Sequence, residues 1–160
     1  MATRFVGDPL GASFPASNYP ALTLVNRRPV LAFDAGTDET AYWTFVAPQG
    51  WTGTVTAVVS YMMASATSGA IYWQAALEAV TAGDAVDLDA ATSFDTVNSG
   101  NGTVPGTAGY MQQISITMTN ADSIAAGDLV RLSVNRDADH ASDTATGDAL
   151  LLVVELRDGA

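Results

Sequence analysis

Cysteine is absent from this 160-residue chain, so neither disulfides nor thiolate metal sites contribute, and the redox compartment cannot be read from composition. Lysine is absent as well. The basic residues are all arginine, at Arg4, Arg27, Arg28, Arg131, Arg136 and Arg157, against 17 carboxylates, for a formal net charge of -11. A surface of that sign repels phosphate backbones and anionic membranes, which argues against nucleic-acid binding and membrane partners. No apolar run approaches the roughly 20 residues that a spanning helix needs. The first residues lack the basic region and apolar stretch of a secretory signal, so the expectation is a protein made and used in a cytoplasm, or released by lysis. Charge is sparse overall, at 14% of residues, and Ala, Thr, Ser and Gly take its place. Small neutral side chains suit flat packing against neighbours.

What is present is alternation. In Gly53 to Met63 the odd positions Val55, Ala57, Val59, Tyr61 and Met63 are apolar, with Thr54, Thr56 and Ser60 between them. That period of two sends one row into a core and the other outward. Ile71, Trp73, Ala75 and Leu77 repeat the pattern against Tyr72, Gln74, Ala76 and Glu78. The small polar run Ala64 to Gly69 between them predicts a β-hairpin. Gln74 to Thr81, with Ala-Ala-Leu-Glu-Ala, also suits a helix, but Ile71, Tyr72 and Trp73 favour a strand.

The remaining chain follows the same rule. Residues 1–28, with Pro9, Pro15 and Pro20, resist regular structure apart from one strand at Ala21 to Val25. The segment reads either as a disordered tail or as an extended arm whose anchors, Phe5, Leu10, Phe14 and Tyr19, lie on a partner. The domain proper is expected over 29–160, with strands at Pro29 to Phe33, Thr40 to Val46, Tyr110 to Thr119, Leu129 to Arg136 and Ala149 to Arg157. The last is apolar on both faces, so it is central in a sheet or covered by a partner. Thr81 to Gly109 reads as a long loop, with a short strand near Ser93 to Val97. Asn120 is expected to cap one helical turn over Ala121 to Ala126. Seven or eight amphipathic strands joined by turns amount to an all-β antiparallel sandwich, jelly-roll-like, with the immunoglobulin-like sandwich as the alternative.

Candidate chemistry is sparse. His140, the single histidine, has Ser142 and Asp143 nearby, but no Gly-x-Ser-x-Gly elbow accompanies it, and the chain reads as no enzyme. Two acidic groups could supply oxygen ligands to calcium: Asp84, Asp87 and Asp89, and Asp137, Asp139, Asp143 and Asp148. Neither fits the EF-hand spacing, and aspartate is a common turn former, so the expectation is no cofactor. Trp43 and Trp73 fall on inward parity. Trp51, in Pro48-Gln49-Gly50-Trp51, is the aromatic expected to be exposed, as a platform for a sugar ring.

Several phrases, in order, resemble a known group of proteins. They are Arg28-Pro29-Val30-Leu31-Ala32-Phe33-Asp34, Asp38-Glu39-Thr40-Ala41-Tyr42 and Met63-Ala64-Ser65-Ala66-Thr67-Ser68-Gly69, then Ala121 to Asp128 and Asp143-Thr144-Ala145-Thr146-Gly147-Asp148. The set, spanning Arg28 to Asp158, is similar to β-sandwich structural proteins of tailed-phage virions, those that decorate or cement a capsid shell or form head and tail surface parts. The resemblance implies a virion location, the major capsid protein lattice as partner, a homo-oligomer, usually a trimer, and no catalytic residues. The segment before Arg28 is not covered. A carbohydrate- or receptor-binding module of a tail or fibre is the alternative function.

Overall fold

The computed structural model describes residues 1–89 and 93–159; Ala160 and the part of the expected Thr81 to Gly109 loop at 90–92 lie outside them. Among the described residues ten strands are formed: β1 (Ala2–Gly7), β2 (Ala21–Val25), β3 (Arg28–Phe33), β4 (Glu39–Val46), β5 (Val55–Met63), β6 (Ala70–Val80), β7 (Asn98–Thr103), β8 (Gln112–Met118), β9 (Leu129–Arg136) and β10 (Ala149–Asp158). One sheet runs β2-β3-β10-β5-β8, with β1 added beside β10; the other runs β4-β9-β6-β7. Every pairing is antiparallel. Strands β3, β10, β5 and β8 facing β4, β9, β6 and β7 make an eight-strand, two-sheet jelly roll, to which β1 and β2 are additions.

The inward rows of the two sheets supply the core. Tyr61 of β5 and Phe33 of β3 both meet the edge or face of Trp73 on β6, with ring centroids 5.5 Å and 5.0 Å apart. Leu151, Val154 and Leu156 of β10 are buried in the same cluster, so the strand that is apolar on both faces sits at the centre of its sheet, between β3 and β5.

Several expectations differ from what is observed. The predicted hairpin between Gly53 and Val80 is not one: β5 pairs with β10 and β8, whereas β6 pairs with β9 and β7. Ala64 to Gly69 is an arch that carries the chain across the core, because both strands need their apolar rows to face each other rather than lie side by side. No helical turn forms at Ala121 to Ala126. Asp122 and Ser123 take left-handed conformations (φ 50° and 53°), and the carboxylates of Asp122 and Asp128 accept from Ala79 N and Ala125 N. The short strand expected at Ser93 to Val97 lies instead at β7, where Asn98–Thr103 pairs with β6.

Segment 1–28 is also not a separate arm. Ala2 to Gly7 is a strand of the sandwich, pairing with Gly7↔Val154 through Ala2↔Asp158. The Arg4 guanidinium holds it there, donating to Asp158 Oδ1 at 2.7 Å and to Gly50 O at 2.8 Å. Asp8 then caps a single 3-10 turn, Pro9–Gly11, accepting from Leu10 N and Gly11 N. Trp43 Nε1 donates to Asp8 O.

Candidate functional site

The segment after that turn is laid along the open edge of β4. Ser13 exchanges two backbone hydrogen bonds with Tyr42, at 2.8 Å and 2.9 Å, and Thr40 N donates to Asn18 O at 3.0 Å. The backbone is therefore fixed, while its large side chains are not used internally. Leu10 is 70% exposed, and Phe14 and Tyr19 are exposed and stacked obliquely with centroids 5.7 Å apart. Phe5, the fourth expected anchor, is instead half-buried and stacked on Phe45 at 4.0 Å. It belongs to the core margin because β1 is part of the sheet.

The outer face of the first sheet carries a groove of about 580 Å³ between the β2–β3 turn and the start of β8, lined by Val25, Arg28, Met62, Met111, Leu150 and Leu152. The outer face of the second sheet is polar and aromatic. Arg131 forks onto Glu78 and lies over the ring of Phe94 at 4.8 Å, and Phe94 in turn stacks on Tyr42. Tyr72 stacks on His140, with centroids 3.6 Å apart.

His140 makes no nucleophile-base pair among the described residues: its Nδ1 accepts from the backbone N–H of Ser142 at 3.1 Å. The acidic groups are divided. Asp143 cannot serve calcium, because both its oxygens are taken by Arg136, at 3.0 Å and 2.9 Å, in an ion pair buried on both sides. Asp137 and Asp139 instead come together with Asp38, with one ligand atom of each within 4.8 Å of the others. Burial first, and then repulsion from Asp38, raises the Asp137 carboxyl above its usual range. Asp84 and Asp87 act as turn formers, accepting from Thr81 N and Asp89 N.

Trp51 is not the exposed aromatic that its turn suggested. It is 8% exposed and part of the core cluster. Gly50 and Gly53, both at positive φ, turn the chain so that the indole points inward, and Thr52 N is tied to Asp158 Oδ2 at 2.6 Å. The sugar platform built on Trp51 is therefore lost.

No family model and no curated protein matches the chain. Two solved structures are similar at low identity. One is an arabinose-bound α-L-arabinofuranosidase, MgGH51, at 14% identity and TM-score 0.41, covering 98% of this chain and 24% of that one. The other is a carbohydrate-binding module specific for non-crystalline cellulose, CBM28, at 12% identity and TM-score 0.43, covering 92% and 84%. The chain thus spans about a quarter of the arabinofuranosidase's length.

Proposed function

We propose that this chain is a non-enzymatic structural protein of a tailed-phage virion that attaches to the head shell and stiffens it. The observation that carries the reading is the strip Leu10, Phe14 and Tyr19: large apolar side chains held outward, Phe14 and Tyr19 next to the Ser13 and Asn18 backbone bonds to β4 and Leu10 on the capped turn before them. Exposed apolar groups on a pre-ordered segment mark a contact surface, and ordering them costs little at the moment of binding. Burying such side chains contributes roughly 1.5–3 kcal/mol each when complete. Repetition over a lattice by an oligomer multiplies that through avidity. The resemblance over Arg28 to Asp158 supports the same partner, the major capsid protein lattice.

The test is co-sedimentation with empty heads. Wild-type protein is expected to load in a fixed ratio, and a Leu10→Ser, Phe14→Ser, Tyr19→Ser triple variant with an unchanged melting temperature is expected not to. Equal loading by both removes the strip from the account, and no loading by wild type removes the shell.

A second reading, a carbohydrate-binding module, draws on the stacked Tyr72 and His140 beside Gln74, whose amide donates to Asp137. Glycan binding abolished by Tyr72→Ala supports it over the first.

A further inference from the structure

Strand β2 is an open sheet edge with an unusual composition. Its one ladder is to β3, in the register Val25↔Arg28, Thr23↔Val30 and Ala21↔Ala32. The two strands are joined by the two-residue turn Asn26-Arg27, both residues at positive φ (46° and 65°). A two-residue turn makes Val25 and Arg28 a hydrogen-bonded pair, so Thr23 and Ala21 bond to β3 as well. The backbone groups of Leu22 and Leu24 consequently point away from β3, to the open side. Their side chains lie on the core-facing side of the sheet, opposite Leu31 and Pro29. The second sheet does not reach beneath them, and they remain 49% and 69% exposed.

Natural edges are normally blunted by charge, proline or a covering segment. The β4 edge is covered by Ser13 and Asn18, and β1 carries Arg4. Strand β2, Ala-Leu-Thr-Leu-Val, has none of these devices within it.

We infer that β2 pairs antiparallel with β2 of a second copy of this chain, about a two-fold axis through Thr23. The occupant follows from the strand's own symmetry. Centred on Thr23, the pairing sets Leu22 opposite Leu24 of the second copy, and Leu24 opposite its Leu22. These are the residues whose N–H and C=O groups are free, so four backbone hydrogen bonds form. Thr23 faces its own counterpart at a non-hydrogen-bonded position, where β-branched side chains come closest. A shift of one residue would set outward-pointing groups against groups already bonded to β3. The four leucines fall on one face and cover each other where the second sheet leaves a gap. Such an isologous contact closes on itself. It therefore gives a dimer, and even-numbered assemblies built from it, rather than the trimer implied by the resemblance. The contact is short, so association is concentration-dependent. The inference does not rest on shell binding.

The chain has no cysteine, which makes the test clean. Cα atoms at a non-hydrogen-bonded antiparallel position are about 4.5 Å apart, within disulfide reach. Full-length Thr23→Cys is expected to oxidise to a covalent dimer. Leu24→Cys, whose counterpart lies two residues along the strand from the position opposite it, is expected to cross-link at least tenfold more slowly. In sedimentation over a concentration series reaching several hundred micromolar, wild type is expected to approach twice its 16.5 kDa mass, and Leu24→Lys to remain at the single mass. Wild type that stays single throughout, or equal cross-linking at both positions, overturns the inference.

Discussion

Arg136 and Asp143 form a forked ion pair inside the protein, with Nε to Oδ2 at 3.0 Å and Nη2 to Oδ1 at 2.9 Å. The remaining guanidinium hydrogens go to the carbonyls of Phe33, Ala145 and Gly147, and Tyr72 N donates to the same carboxylate. One side chain thus joins the end of β3, the end of β9 and the 137–148 loop. Asp143→Ala leaves an arginine charge in the core without its counter-ion, and should destabilise by about 3–5 kcal/mol. Arg136→Met combined with Asp143→Leu should lose less than the sum of the single changes. Urea unfolding of the four proteins of that cycle decides it.

Tyr61 is buried and its hydroxyl has no hydrogen-bond partner among the described residues. Burial pushes it up to about 12. Because the folded value lies above the unfolded one, the associated stability is intact below about pH 10 and is lost as pH rises toward 12. Ultraviolet titration should show Tyr61 ionising only with unfolding. Tyr61→Phe removes a buried unpaired hydroxyl and should stabilise by about 1 kcal/mol at neutral pH.

The Arg4 hydrogen bond, with help from Thr52 N, holds Asp158 below the usual carboxylate range. A depressed folded value means that the contribution is present above the unfolded value of about 3.9 and is lost as pH falls through the folded one. Glu155 is lowered in the same way by Arg157, whereas burial raises Glu39 and Asp137 and opposes the trend. The readout must therefore be local. The protection of β1 amides, taken relative to the intrinsic exchange rate at each pH, should fall below about pH 4 before that of β5 and β10, and Asp158→Asn should lower it at neutral pH too.

Gly69 closes the arch between β5 and β6 at φ +93°, where an added Cβ would lie 2.8 Å from the backbone of Ala145. Backbone cannot move aside as a side-chain tip can. Gly69→Ala should cost about 2–3 kcal/mol, visible as a lower urea midpoint. Gly83→Ala, which meets nothing within 4 Å, should cost less.

Parity along the chain was a good guide to which residues face inward and a poor one to which strands pair. Val55 to Met63 and Ile71 to Leu77 do bury the rows their alternation indicates, yet alternation is the same whether two strands lie side by side or across a core. The central place of Ala149–Asp158 was legible because both its faces are apolar. Strand β7 was not, since Asn-Ser-Gly-Asn-Gly-Thr has little intrinsic strand preference. Tertiary packing selects it: a Cβ at Gly100 would lie 3.2 Å from Ile116. Arg136 ends the inward row Val130, Leu132 and Val134, and a charge at that parity requires a buried partner. For the site, Leu10, Phe14 and Tyr19 are exposed, and their role as anchors is a matter for the loading assay. The expected exposure of Trp51 is not found, because glycine turns can aim a side chain either way.

The position of β10 governs how such a chain can come to be folded. Strand β10, which comes after β3 and β5 in chain order, stands between them, so half of the sandwich has no middle until residues 149–158 are added. Before then, both flanking strands present bare backbone and apolar rows. Acquisition of structure is accordingly late and all-or-none, slowed by the long loops each pairing must close. A fragment stopping short of residue 149 should be a sticky, unfolded polypeptide rather than a smaller version of the whole.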